Sequence, residues 1–348
     1  MAEAPKILAV AALSLMVAAC SIGDNPHFDA ARPHHTPSGF QNPPDSPKSE
    51  RTLLKWMGFV LGRLTADRRV ELPPDHVLSR DAARRQLAAH QDSNRVTWIG
   101  HATTLVGLDG INILTDPVFS KNASPWPIAI SRWVPPGLEI EDLPRIDVIV
   151  ISHNHYDSFD LPSLRQLARR FPDVRMLVPL GLGPAVRGAS LANVREMDWY
   201  DSETVGAVTL QSTPAIHASQ RSLTDRNFTL WTGFLLRGKD LRVWFTGDTA
   251  LGPLFDRVRE RIGTADVALV PVGAYEPSWL MKANHTTPEE AAELARRLDA
   301  RRAIGLHWGT FPLGEDPPLQ TQRRFLATKT ADFTPQMLRI GETVSLTR

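Results

Sequence analysis

The order of strand-like and helix-like segments in this 348-residue chain predicts an α/β fold, with two mixed sheets packed face to face and helices outside. Three observations carry that reading. Apolar, β-rich runs at Val96–Ile99, Thr104–Val106 and Ile111–Leu114 follow closely on one another, as in an antiparallel meander. The run Val148–Ser152 leads into helical spacing from Asp160 to Phe171 and back to a strand at Met176–Val178. A second set of strands runs from Val208 through Phe245, and strand, helix and strand return between Val267 and Leu306.

From the N-terminus onward, Lys6 precedes an apolar run, Ile7 to Ala19, that closes on Cys20. The run is shorter than the about 20 residues that a bilayer span requires. It resembles a bacterial lipoprotein signal over residues 1–20, with Cys20 as the lipidated residue and an ordinary cleaved signal or a short anchor as the alternative. That implies export and anchoring to a membrane of the bacterial cell envelope, facing the periplasm or the exterior. Cys20 is the only cysteine, so a disulfide within the monomer is excluded.

Residues 21–90 read as a tether and N-terminal arm with a short helix. Ser21 to Asp45 is rich in Pro, His, Asn and Ser, with almost no apolar periodicity, and is expected to form a tether or an extended arm along the domain. His27, His34 and His35 lie in this tract; a His pair there could bind metal, and a solvated tether is the expectation. Leu54, Met57, Val60, Leu61 and Leu64 then fall at helical spacing, a stripe expected to pack on the core, with a membrane-facing helix as the alternative.

The remainder, residues 91–348, is long enough for one domain of about 250 residues. Its helices carry legible starts. Asp160 can cap a helix whose Leu161, Leu164, Leu167 and Ala168 share a face. Thr287, Pro288 and Glu290 form a capping-box pattern ahead of Ala291, Leu294, Ala295 and Leu298. With 39 basic against 38 acidic residues, nothing points to nucleic acid as a partner.

The chemistry concentrates at strand ends. His153, His155 and Asp157 stand on alternate residues just after the run that ends at Ile151. Imidazole nitrogen and carboxylate oxygen are the usual ligands of Zn²⁺ and related cations, so this spacing reads as a metal site. His217, Asp248 and His307 each follow a β-rich run in the same way, and loops on fixed strands can converge on one ion. Asp116, in the turn after Ile113 and Leu114, is a candidate for orienting a ligand imidazole, as is His101; a capped turn or a satisfied core histidine is the alternative for each. His285 sits at the entrance of the Thr287 helix, where the plain alternative is an exposed loop histidine.

These segments, Val96–His101 and the Ala-Thr after it, Thr115–Pro125, the His153 motif, Trp244–Asp248, Tyr275 in its Pro271–Pro277 context, Asn284–His285 and His307–Phe311, are similar to the metallo-β-lactamase-fold hydrolases. Within that family they most resemble the branch containing N-acylphosphatidylethanolamine-hydrolysing phospholipase D, in family order over roughly residues 95 to 345. The resemblance implies an αββα four-layer sandwich with two Zn²⁺ ions at its edge. By the same resemblance His153, His155 and His217 hold the first ion, Asp248 bridges, and Asp157 and His307 hold the second. His285 lies beside the substrate, in a substrate or leaving-group contact.

One position departs from the family pattern. A second histidine usually follows the aspartate, and here Ser158 stands there, so a weakened second site is expected. Tyr275, with Trp279 and Met281, could line an apolar acyl channel or pack in the core.

The expected activity is hydrolysis of a phosphodiester, of phospholipase D type, on N-acyl phosphatidylethanolamine-like lipids, with Asp157, Asp248 and His285 as catalytic residues and metal-bound hydroxide as nucleophile. A small-molecule substrate would suit the same site. The alternatives are a lactonase, a β-lactam hydrolase or another ester or phosphodiester hydrolase of the fold, and a non-catalytic metal-binding envelope lipoprotein.

Overall fold

In the computed structural model, which describes residues 24–65, 70–124, 130–189 and 191–346, the run 148–151 is apolar throughout because both of its sides are covered. Val148 and Val150 enter the cluster between the sheets, whereas Ile149 and Ile151 enter a second cluster under outer helices. A strand buried on both faces needs no polar alternation.

β1 (His35–Thr36) and β2 (Gly39–Phe40) form a small hairpin in the N-terminal arm. The first large sheet contains β3 (Arg95–Gly100), β4 (Thr103–Leu108), β5 (Ile111–Thr115), β6 (Val148–Val150), β7 (Arg175–Pro179) and β8 (Val194–Met197) in sequence order. The second contains β9 (Ser202–Val205), β10 (Val208–Pro214), β11 (Thr232–Arg237), β12 (Arg242–Phe245), β13 (Val267–Pro271), β14 (Arg302–Leu306) and β15 (Thr334–Gln336). β16 (Thr343–Ser345) returns to the first sheet and pairs antiparallel with β3. In each sheet the earlier strands pair antiparallel, as in the expected meander, and the later ones pair parallel.

The helices are α1 (Leu53–Thr65), α2 (Arg80–Ala89), α3 (Leu161–Arg170), α4 (Gly183–Arg187), α5 (Leu254–Ile262), α6 (Ser278–Met281), α7 (Pro288–Arg297) and α8 (Pro318–Leu326). α2 and α3 bury Ala83, Leu87, Leu164 and Leu167 on the first sheet's outer face; α5, α7 and α8 bury Phe255, Val258, Leu294 and Phe325 on the second. The result is the expected four-layer order of helix, sheet, sheet, helix.

The capping box of α7 forms as read: Glu290 N donates to Thr287 Oγ1 at 3.2 Å, and Thr287 N to Glu290 Oε2 at 2.8 Å. Asp160 occupies the N-cap of α3 but does not cap it. Its carboxylate takes the Ser163 hydroxyl and the Ser120 N–H instead, tying the loop after β5 to the helix.

The arm differs most from expectation. Of the two forms expected for this tract, residues 24–50 take that of an extended arm along the domain, and His34 and His35 are buried rather than solvated. The Asp198 carboxylate accepts from Arg32, from His34 Nε2 at 2.6 Å and from His35 Nε2 at 2.9 Å, while His35 Nδ1 accepts from Asp29 N. Phe40 sits among Trp199, Ala215, Leu230 and Trp231. Although His34, His35 and Asp198 could hold a cation, the Arg32 guanidinium already occupies that carboxylate, and the cluster reads as a clasp. α1 also departs from the packed stripe expected of it. Leu53, Leu54 and Met57 are 66%, 82% and 52% exposed, while Phe59 and Lys55 meet the body at Trp279; the side chains of Val60 and Leu64 lie outside the described residues.

The clasp predicts acid-sensitive docking. Burial holds the His35 imidazole below its usual 6.5, against the Asp198 charge. Burial pushes the Asp198 carboxyl up, but the His34 hydrogen bond and charge outweigh it and leave the group below its usual 3.8. Both groups bind fewer protons docked than free, so the His35 contribution is present above pH 6.5 and that of Asp198 above 3.8, each lost as pH falls through the lowered docked value; between about pH 7.5 and about pH 5 it is His35 that titrates. Proteolysis within the arm is expected to accelerate from about pH 7.5 to about pH 5 in wild type but not in Asp198→Asn, where it is fast throughout. An unchanged rate in wild type would contradict the clasp.

Candidate metal centre

Side chains from both sheets meet where the strands end. After β6, Ser152 turns the chain and His153 and His155 project from the loop. The Ser152 hydroxyl donates to Asp116 Oδ2 at 2.5 Å, leaving its lone pairs to accept from His153 Nδ1 at 2.8 Å. His153 Nε2 is thereby left with a lone pair facing inward. Asp116 also accepts from Ser152 N at 2.7 Å, so it acts on His153 through Ser152 rather than by direct contact. From the second sheet, His217 Nδ1 donates to the carbonyl of Asn284 at 2.9 Å, which likewise leaves Nε2 unprotonated. These two Nε2 atoms stand 2.9 and 3.2 Å from His155 Nδ1.

His101, Asp157 and His307 form a second group, and Asp248, His285 and His307 a third, each with its candidate ligand atoms within 4.8 Å of one another. His307 Nε2 lies 3.0 Å from Asp248 Oδ2 and 3.2 Å from Asp157 Oδ2, and Asp248 Oδ2 is 3.8 Å from His153 Nε2. Asp248 thus stands between the two halves of the centre. Gly247 makes this approach possible: at φ +60 a Cβ would lie 2.7 Å from the Thr232 carbonyl and from Ser152 Cβ. His101, Asp116 and His307 all adopt left-handed backbone (φ 54, 33 and 62), conformations that cost of the order of 1–3 kcal/mol each and persist only where surrounding contacts hold them.

The donor chemistry fits metal. Three imidazole nitrogens face one another at hydrogen-bonding distance, yet two of them have no proton to give, so at most one of these contacts is a hydrogen bond. Burial keeps the rings neutral: it pushes His217 and His285 down to about 3, His101 to about 4, and His153 and His155 below 6.5. His307 goes the other way, to about 10: burial lowers it, but the Asp248 charge and the contacts to both carboxylates prevail. Neutral imidazoles and ionised carboxylates are what a borderline cation requires.

His153, His217 and His307 are almost fully buried, whereas His155 and His285 are only half-buried. These two residues give the cluster an open edge toward solvent, as a metal site that admits substrate needs.

The expected residues His153, His155, Asp157, His217, Asp248, His285 and His307 all meet here, and His101 reaches the cluster directly rather than from behind a ligand. Tyr275 does not line it. It is 2% exposed, its hydroxyl lies 3.3 Å from Thr321 Oγ1, and Arg324 stacks over its ring, so it is core packing against α8.

Other supports left no motif in the sequence. Asn42 of the arm donates to the His217 carbonyl at 2.7 Å, and its Oδ1 accepts from His217 N and from Trp231 Nε1. Arg221 donates to the carbonyls of Asn154 and Phe159 and lies over the Tyr156 ring, clamping the His153 loop.

Imidazoles and carboxylates converging at the edge of a two-sheet sandwich define a class, the metal-dependent hydrolases of the metallo-β-lactamase fold. Residues 111–308 match the family model described as the Beta-lactamase superfamily domain, and the chain belongs to that family. It is 40% identical over 229 residues to N-acyl-phosphatidylethanolamine-hydrolyzing phospholipase D 1 of Caenorhabditis elegans, across 63% of this chain and 64% of that protein. It is 34% identical over 235 residues to the mitochondrial N-acyl-phosphatidylethanolamine-hydrolyzing phospholipase D of Saccharomyces cerevisiae, across 66% of this chain and 50% of the yeast protein. Among solved structures, an isothiocyanate hydrolase from Delia radicum gut bacteria shares the fold, with a TM-score of 0.60 at 17% identity over 72% of this chain and 98% of that one.

Removing a ligand and removing a support should differ in degree. His155→Ala or Asp248→Ala is expected to abolish turnover and lower bound metal, read by elemental analysis. Asn42→Ala should weaken metal affinity about 10–100-fold in chelator competition, the usual effect of losing a group that positions a ligand. Wild-type affinity in Asn42→Ala would show that the arm is irrelevant to the centre.

Proposed function

We propose that the protein is a zinc-dependent phosphodiesterase of phospholipase D type, acting on N-acyl phosphatidylethanolamine-like lipids at a membrane surface. The carrying observation is the joining of the open edge of the metal cluster to an exposed apolar helix. α6 leads directly to Asn284, which holds His217, and to His285 at the lip; the N–H groups of both donate to the Met281 carbonyl. On the other side of α6, Trp279 packs edge-on against Phe59 of α1 and takes Lys55 over its ring, and Glu50 pairs with Lys282. The exposed Leu53, Leu54 and Met57, flanked by Arg51 and Lys55, suit the apolar and headgroup layers of a bilayer. The relatives in nematode and yeast support the substrate class. A lipid on Cys20, which lies outside the described residues, would hold the enzyme on the same envelope membrane.

What divalent ions contribute at such a site is a water whose pKa falls to about 7 and a counter-charge for the leaving oxygen. The side chains assigned to the first ion are His153, His155 and His217, with Asp248 between the halves and Asp157 and His307 beyond. His285 is neutral at pH 7 and stands at the lip, where its N–H can hydrogen-bond a phosphoryl or leaving oxygen. In the net reaction a water oxygen forms the new P–O bond and the bond from phosphorus to the ethanolamide oxygen breaks. The products are phosphatidic acid and an N-acylethanolamine.

The zinc-loaded protein is expected to release phosphatidic acid from N-acyl phosphatidylethanolamine vesicles. Failure on both this lipid and a generic phosphodiester, with metal bound, would sink the reading. His285→Ala should lower kcat roughly 10²–10⁴-fold with metal content intact. Leu54→Glu with Met57→Glu should reduce vesicle binding while leaving turnover of a soluble phosphodiester unchanged; unchanged vesicle binding would dismiss α1 as the membrane contact.

A further inference from the structure

We infer that His101 is itself a ligand of the second ion, completing with Asp157, Asp248 and His307 the donor set in which Ser158 offers nothing. The inference rests on the metal-centre reading above and names a residue of that centre. His101 Nε2 lies 2.9 Å from Asp157 Oδ2, the same oxygen that stands 3.2 Å from His307 Nε2. Tetrahedral bonds of 2.0–2.1 Å place ligand atoms about 3.3 Å apart, so these separations, with the 3.0 Å from His307 to Asp248, suit atoms around one cation.

The two imidazoles are built as a pair. Their rings lie 4.0 Å apart, and the His101 carbonyl accepts from His307 N at 3.1 Å and from Trp98 Nε1 at 2.8 Å. His101 N donates to Thr310 Oγ1 at 3.0 Å, which fixes the residue in its left-handed conformation. Neither ring has its far nitrogen committed: Nδ1 of His101 and Nδ1 of His307 are buried without a partner. Ser158 Oγ, buried and also without a partner, supplies no replacement.

The competing role is a hydrogen bond from His101 that merely positions Asp157, and a glutamine separates the two. Its amide N–H can still reach Asp157, but it offers the cation no imidazole nitrogen. The full chain is loaded with Zn²⁺ and counted by elemental analysis, then loaded with Co²⁺, whose visible absorption reports the donor set; melting of the metal-free proteins checks folding. Wild type is expected to bind two ions, and His101→Ala and His101→Gln one, with the second cobalt signal lost. A folded His101→Gln protein that keeps both ions and the wild-type spectrum overturns the inference. So does a wild type that binds one ion, which leaves the first cluster standing; a wild type that binds none removes the metal centre altogether.

Discussion

Eight side chains that can carry or bind charge, His101, His153, His155, Asp157, His217, Asp248, His285 and His307, converge at one edge of the sandwich, and the fold is arranged around the cost of burying them. Two carboxylates and six imidazoles cannot all ionise in a space with so little solvent. The structure resolves this by keeping the outer imidazoles neutral and concentrating cationic character at His307, between Asp157 and Asp248. The backbone meets the same demand. Left-handed turns at His101, Asp116 and His307 and the close approach at Gly247 aim side chains inward from the ends of β3, β5, β14 and β12.

Much of this was legible in the chain because it is local. The expected strands around 96–114, 148–152 and 208–245 form, since a strand covered on both faces advertises itself as an apolar run such as Val148–Ile151. Ligand candidates could be read from position alone, each lying just after such a run. The Thr287–Glu290 box was equally plain, because both of its hydrogen bonds join residues three apart. What stayed hidden depends on contacts between distant segments. Asp160 looked like a cap until Ser120 and Ser163 claimed its carboxylate. His34 and His35 looked solvated because their partner, Asp198, lies more than 160 residues away. The α1 stripe has core spacing, and spacing cannot tell a stripe that packs from one that faces out.

The arm ties these themes together. Polar composition and many prolines suggested a chain with nothing to bury, yet a segment needs only a few anchors to dock when each is specific. The Asp198 clasp, the Phe40 seat and the two-way hydrogen bonding of Asn42 to His217 supply them, and the last makes the arm part of the metal centre's frame. His217 is then held on three sides, by Asn42 at its backbone, by Asn284 at its ring, and by Thr249 through Ile216 N. The Asn284 contact comes from the loop that also carries His285, so placing a ligand and placing the lip are one structural problem.

The centre also explains how two separately built sheets keep one register. β3 and β6 lead to His101, His153 and His155, whereas β10, β12 and β14 lead to His217, Asp248 and His307. Apolar packing between the sheets is non-directional and tolerates small slides. The polar links are not tolerant. His307 N to the His101 carbonyl, Thr232 N to the Ser152 carbonyl, and His307 to Asp157 all cross from one sheet to the other at this edge. A cation shared by both sets of loops would lock the same register with stronger and more directional bonds. The proton that the carboxylates favour on His307 marks where, without metal, positive charge is already demanded.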